Sequence, residues 1–292
     1  MQLTITGYST ALFSTWYFIE ELGLLLDCGD GLMAGLLQKS RKIEHVFLTH
    51  PDRDHLTGLL QFNQLNARAG LPIIYYPKDC GSIKALELFS KQFDPHVSGT
   101  VWKPIVDREK VWIRKDIYVQ AIKNSHVTCT PDVNKSLGYK VVQVRQKLKP
   151  EYLHLPPLEI KKMIESVGKE NAYLEQETIL LAYSGDTPVE NFDQWDGAKV
   201  LIHEATFIGA DQDTASIPHA NRHSILEQVL EAVSKIRVET LVLGHFSSRY
   251  SDSQIDDAIR SGCQKFGLTI PVRRVLPGIL VRNVLDEGCS TQ

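Results

Sequence analysis

Residues 50–55 read His50-Pro51-Asp52-Arg53-Asp54-His55, directly after the apolar run Val46-Phe47-Leu48-Thr49. Four potential ligands crowd into this hexapeptide at what reads as a strand end. Imidazole nitrogen and carboxylate oxygen bind zinc well, and also iron or manganese. One ion takes about four to six donors, so one tight turn plus a few distant residues can hold two ions. A plainer reading exists. Asp54 would N-cap a following helix, with His50 and Asp52 merely solvated. The rest of the chain has to decide between the two.

Moving outward, the same grammar recurs. An apolar, β-branched run ends, and a polar donor follows within a few residues. Ile117 to Ile122 alternates like a half-buried strand and is followed by Asn124-Ser125-His126. Ile179 to Tyr183 leads to Ser184-Gly185-Asp186-Thr187, Val200 to Ile202 leads to His203-Glu204, and Leu241 to Gly244 leads to His245. Short apolar runs of this kind read as buried strands. A stiff sheet fixes loop-borne donors precisely when they sit just past its strand ends. A lone His at a strand end is commonly structural, and Ser-Gly-Asp suits an ordinary turn. Recurrence at several strand ends is what a random set of turns would not produce. Helical patterns at Leu56 to Ala67 and Ile225 to Ile236 lie between the runs. That mixture predicts layered α/β packing rather than a bundle or an all-β sandwich.

The remaining features bound the answer. The chain of 292 residues, 43% hydrophobic and 23% charged, can bury a sizeable core and reads as one domain over 1–292. Residues 143–176 are rich in charge, carry Pro156-Pro157 and place Ile160, Met163, Ile164 and Val167 at helical spacing. They read as an inserted arm or lid with one amphipathic helix. A net charge of −3 does not announce a nucleic-acid binder, though it leaves local patches open. No apolar run is long enough to span a bilayer, and the N-terminus lacks a basic start followed by an apolar stretch. Five scattered cysteines with no Cys-x-x-Cys pair argue against a disulfide framework and a zinc knuckle. They suit a cytoplasmic protein. The C-terminal part predicts a helix over Gln254 to Phe266 and strands over Val272 to Leu276 and Ile279 to Val284.

The order of these motifs resembles the metallo-β-lactamase superfamily: the hexapeptide, a lone His, Ser-Gly-Asp-Thr, then a late Gly-His-Phe-Ser. Within it, His203-Glu204-Ala205-Thr206-Phe207 and His223-Ser224 are similar to ribonuclease Z, the tRNA 3′-processing endonuclease. So are Asp27-Cys28-Gly29-Asp30-Gly31 and His245-Phe246-Ser247-Ser248-Arg249-Tyr250. The resemblance runs from Met1 to about Tyr250. It implies a four-layer αββα sandwich with two divalent ions, zinc foremost, at one edge. One ion would take His50, Asp52, His126 and Asp186, and the other Asp54, His55, Asp186 and His245. Asp54 would orient the attacking water, and Glu204 with His223 would serve the leaving oxygen. The implied partners are RNA, as precursor tRNA, and a second copy in a homodimer, with no membrane.

Two departures mark this chain. Asp52 stands where the family's hexapeptide usually has its second His, which hardens the site toward manganese or iron. The arm keeps Pro156-Pro157 but lacks the family's Gly-Pro element, leaving Arg145, Lys147, Lys149, Lys161 and Lys162 as positive charges there. Two alternatives therefore stand beside the RNA nuclease. One is a hydrolase of the same fold acting on a small phosphodiester or ester. The other is a non-catalytic binding relative.

Overall fold

The computed structural model describes residues 1–94, 99–209 and 222–286. Its frame is two sheets. The first holds β1 (Ile5–Thr10), β2 (Ser14–Ile19), β3 (Leu24–Leu26), β4 (His45–Phe47), β5 (Ile73–Pro77) and β6 (Val101–Ile105), side by side in chain order. The second holds β7 (Lys110–Arg114), β8 (Ile117–Lys123), β9 (Leu137–Leu148), β10 (Tyr173–Tyr183), β11 (Ala198–Glu204), β12 (Val238–Gly244) and β13 (Val272–Arg274), again in order. Each sheet is part antiparallel and part parallel: β1 to β3 and β7 to β10 alternate, whereas β3 to β6 and β10 to β13 run together.

Period-two burial explains why the sheets stack. Successive strand side chains point to opposite faces, so a strand buried on both faces reads as continuously apolar. Tyr17, Ile19, Leu24, Leu26 and Phe47 face Val119, Tyr139, Leu181, Tyr183, Ile202 and Val242 across the central core. Their neighbours Phe18, Leu25 and Val46 turn outward against α1 (Leu32–Leu36), α3 (Leu59–Asn66) and α4 (Gly81–Phe93). On the other side Ala182, Leu201, Leu241 and Leu243 pack on α7 (Leu226–Val233) and α8 (Asp252–Phe266). The result is the four-layer αββα sandwich that the resemblance implied.

The helix expected over Leu56 to Ala67 forms as two pieces, α2 (Arg53–Leu56) and α3. The break lies at Thr57-Gly58. The Gly58 N–H donates to Cys28 O at 2.9 Å, and a Cβ at position 58 would meet Gly29 O at 2.2 Å. The chain after the hexapeptide is thus pinned to the loop that follows β3, which leaves no room for a side chain. Gly58→Ala is expected to cost about 2–3 kcal/mol through overpacking against backbone. Urea unfolding of the purified variant checks this, and unchanged stability would contradict the close approach.

Two further expectations need revision. Ile279 to Val284 forms no strand. It makes a single bridge, with Gly7 and Val281 exchanging both backbone bonds at 2.9 Å, and Val284 N donating to Ile5 O. Side chains interrupt a regular ladder here: Thr6 Oγ1 donates to Arg282 O, and Asn283 Oδ1 accepts from Ile5 N. Within 143–176 the outer stretches are strand. β9 and β10 pair from Gln143↔Thr178 to Leu148↔Tyr173, and carry α5 (Pro157–Val167) and α6 (Lys169–Ala172) at their end. Ile160, Met163, Ile164 and Val167 are half-buried on α5. No described helix is long and apolar enough to cross a membrane.

Candidate metal centre

β8 and β10 flank the antiparallel β9 and so run the same way, parallel to β11 and β12. Their C-terminal ends lie along one edge, with Tyr183 level with Ile202 and Glu204 level with Gly244. Residues at or just past those ends are His126, Asp186, Glu204 and His245. The opposing sheet delivers the hexapeptide from the end of β4. The two sheets are stitched there, since Leu137 N donates to Thr49 O and the Tyr139 hydroxyl to Leu48 O.

All seven residues expected as ligands converge. The Asp52 Oδ2 atom lies 3.6 Å from both His50 Nε2 and His126 Nε2. Asp54 Oδ2 lies 3.3 Å from His245 Nε2 and 3.6 Å from His55 Nε2. Asp186 Oδ2 stands between the groups, 3.7 Å from His50, 3.3 Å from His55 and 3.2 Å from His245. Donors about 2.1 Å from a tetrahedral ion are roughly 3.4 Å apart, so these separations fit ligand edges. Asp54 lies within α2, and the N-cap position belongs to Asp52, whose side chain makes no capping bond. The capping alternative for Asp54 is therefore excluded.

Hydrogen bonds fix the imidazoles. Thr49 Oγ1 donates to Asp27, so it accepts from His50 Nδ1 at 2.9 Å. Thr206 Oγ1 donates to Glu204 Oε2 at 2.5 Å, so it accepts from His245 Nδ1 at 2.9 Å. His126 Nδ1 donates to Arg222 O, and His55 Nδ1 to Asp27 Oδ2 at 2.8 Å. All four rings thereby carry the proton on Nδ1 and aim Nε2 at the cluster, the arrangement that metal-bound histidines adopt. The consequence is two bare nitrogens that a cation would satisfy. His50 Nε2 and His126 Nε2 are buried with no hydrogen-bond partner. His55 Nε2 and His245 Nε2 approach to 3.4 Å.

The electrostatics agree. Burial pushes the His55 imidazole down, yet Asp186 and Asp27 outweigh it and hold it well above the ordinary range. Asp186 is held well below the usual carboxylate range by His245 and His55 despite its burial. The neighbouring His126 and His50 imidazoles hold Asp52 far down as well. Ionised carboxylates facing imidazole Nε2 atoms make a donor set that fits divalent metal ions.

Beside the cluster, Glu204 is buried and accepts from Thr187 N at 2.7 Å and His223 Nδ1 at 3.1 Å. Burial opposes charge on His223, but Glu204 overrides it and raises the imidazole to about 9. A protonated His223 held on a carboxylate is placed to give up a proton. His203, the other polar residue of that strand end, bonds Glu204 O through Nδ1 and packs on Phe192. It belongs to none of the ligand groups.

Sequence reasoning gave no role to Asp27 or Thr206. Asp27 is fully buried and accepts from Thr49 N, Thr49 Oγ1, His55 Nδ1 and the Tyr183 hydroxyl. A carboxylate just past the Leu24-Leu25-Leu26 run was the available signal. Thr206 joins Glu204, His223 and His245, and its place in the stretch His203-Glu204-Ala205-Thr206-Phe207 was the available signal.

Comparison with known proteins follows the same direction. No family model matches the chain. It is 31% identical over 275 residues to tRNase Z TRZ1 of Arabidopsis thaliana, covering 87% of this chain and 89% of that one. Its fold matches the metallo-β-lactamase fold protein YhfI from Bacillus subtilis with a TM-score of 0.63 at 16% identity, over 96% of this chain and 100% of that one. Human tRNase Z, short form, matches with a TM-score of 0.60 at 17% identity, over 95% and 98%.

Proposed function

This chain belongs to the ribonuclease Z family, and on that premise we propose that it is a metal-dependent endoribonuclease acting on tRNA precursors. The observation that carries this reading is the set of four Nδ1-anchored imidazoles around Asp186, beside the Glu204–His223 pair. His50, Asp52, His126 and Asp186 would hold one ion, and Asp54, His55, Asp186 and His245 the other. Divalent ions bound there would lower the pKa of a water and offset charge building on the phosphate. Asp54 orients that water, its Oδ2 fixed in turn by the Leu12 N–H at 3.1 Å. His223 delivers a proton to the leaving oxygen, and Glu204 holds its tautomer and steadies the charged ring.

Zinc is the ion this reading assigns, and Asp52 broadens the choice toward manganese or iron. The chain works as a homodimer in the cytoplasm. Free Cys28, Cys80, Cys129 and Cys263 support a reducing compartment.

The test pairs a 3′-extended tRNA precursor with a chromogenic bis-phosphodiester, alongside elemental analysis of the protein. Cleavage of the precursor at its 3′ side is expected. His223→Ala should slow it by about 10²–10⁴-fold with metal content intact. Loss of metal from that variant would make His223 a ligand. Turnover of the small diester by fully loaded protein that leaves the precursor intact would favour the small-substrate alternative. Failure to hydrolyse either would favour the non-catalytic one.

A further inference from the structure

The hairpin joining β1 to β2 ends in a three-residue loop, Ala11-Leu12-Phe13, because Thr10 pairs with Ser14. Its base is buried: Ala11 and Ser14 are in the interior, and the Ser14 hydroxyl donates to Asp30 O at 2.7 Å. Its tip is not, with Leu12 87% and Phe13 62% exposed. Single exposed apolar residues are ordinary, but these two are adjacent and fixed at the metal centre. The Leu12 N–H donates to Asp54 Oδ2 at 3.1 Å. The Ala11 N–H donates to Phe246 O, next to His245, at 3.2 Å, and the Phe13 N–H to Thr10 O at 3.1 Å. Leu12 thus lies against a ligand atom, and covalent geometry holds the Phe13 Cα within about 8 Å of the same atom.

Leu12 has a φ of 70°, in the left-handed region where glycine or asparagine is at ease and leucine is strained. Neither side chain joins the apolar clusters of the described residues. Folding therefore gives no reason for two large apolar groups at this place, whereas a ligand does. The two side chains carry no charge and no hydrogen-bond donor for a phosphate. What they present is an apolar surface. In a nucleotide whose phosphate lies at the metal centre, the group that matches such a surface is the base, and every base has a π-face.

We propose that the Leu12-Phe13 tip is a base platform that receives the nucleobase of one nucleotide flanking the scissile phosphodiester, Phe13 by stacking and Leu12 by apolar contact. The proposal rests on the endoribonuclease reading. A base that stacks on protein is unpaired, so the tip selects single-stranded RNA at the point of cleavage.

The experiment measures kcat/KM of the metal-loaded protein on a 3′-extended tRNA precursor and on two versions of it, each abasic at one nucleotide flanking the cleaved bond. Wild type, Phe13→Ala and Leu12→Gly are compared, with metal content and melting temperature recorded for each. Leu12→Gly keeps the N–H on Asp54. Phe13→Ala should slow cleavage of the intact precursor by about 5–100-fold, the worth of one stacked base. Wild type should lose about as much on one of the abasic precursors, and there Phe13→Ala should cost almost nothing further. Leu12→Gly should follow the same pattern with a smaller loss. Phe13→Ala that cleaves the intact precursor as wild type does overturns the proposal. An equal penalty on intact and abasic precursors, or loss of metal, overturns it too, since the tip would then act through Asp54. In each of these cases the endoribonuclease reading stands. Metal-loaded wild type that leaves the intact precursor uncut overturns the reading and the proposal together.

Discussion

Asp186→Ala should abolish metal-dependent turnover and take both ions from the protein. Its Oδ2 is the one ligand atom close to donors of both groups, 3.7 Å from His50 Nε2 and 3.2–3.3 Å from His55 and His245 Nε2. Removing any other ligand leaves one group complete. Two consequences separate this expectation from ordinary damage. Elemental analysis should show the variant close to metal-free. Added metal should raise the melting temperature of chelator-treated wild type, since a ligand at about 100 times its Kd stabilises by about 2.7 kcal/mol. The variant should show no such rise. Full metal occupancy with undiminished activity would overturn the bridging role.

The second large effect concerns Asp27. Its carboxylate is fully buried and receives four donated hydrogen bonds. Through His55 it orients one ligand group, and through Thr49, which accepts from His50 Nδ1, the other. Asp27→Ala leaves those donors buried without an acceptor, each at a cost of about 1–3 kcal/mol. The costs overlap as the cavity relaxes, so about 3–5 kcal/mol in total is expected by urea unfolding in chelator. Asp27→Asn keeps the shape and one acceptor oxygen but turns an NH2 toward donors. It should preserve more stability while lowering metal affinity about 10–100-fold, read by competition with a chromophoric chelator. Wild-type stability and metal affinity in Asp27→Ala would show that the imidazoles are oriented by something else.

The site was legible because its donors sit at strand ends or within a few residues of them. Apolar runs ending at Phe47, Lys123, Tyr183, Glu204 and Gly244 are visible in one dimension, and so are the His and Asp residues near each. What supports those donors is scattered. Thr206 matters because its hydroxyl lies between Glu204 Oε2 and His245 Nδ1, which come from β11 and the end of β12. Arg222 matters through a backbone carbonyl, which has no sequence signature at all. The elements misread were likewise those decided by distant contacts. The helix after the hexapeptide breaks because Gly58 touches the Cys28-Gly29 backbone, and periodicity carries no record of that approach. Ile279 to Val284 has strand-like residues, but it meets β1 through side-chain bonds that leave one bridge.

By itself the sequence determined the chemistry of the donors, their order along the chain and the two-faced burial of the strands. These follow from local residue type and a period of two. Tertiary structure alone decided which nitrogen of each imidazole faces the cluster and which carboxylate spans it. It also decided that Asp52 is the most exposed of the seven donors. Those outcomes depend on hydrogen-bond partners and packing surfaces brought together from both sheets, and no local stretch of the chain holds both sides of such a contact.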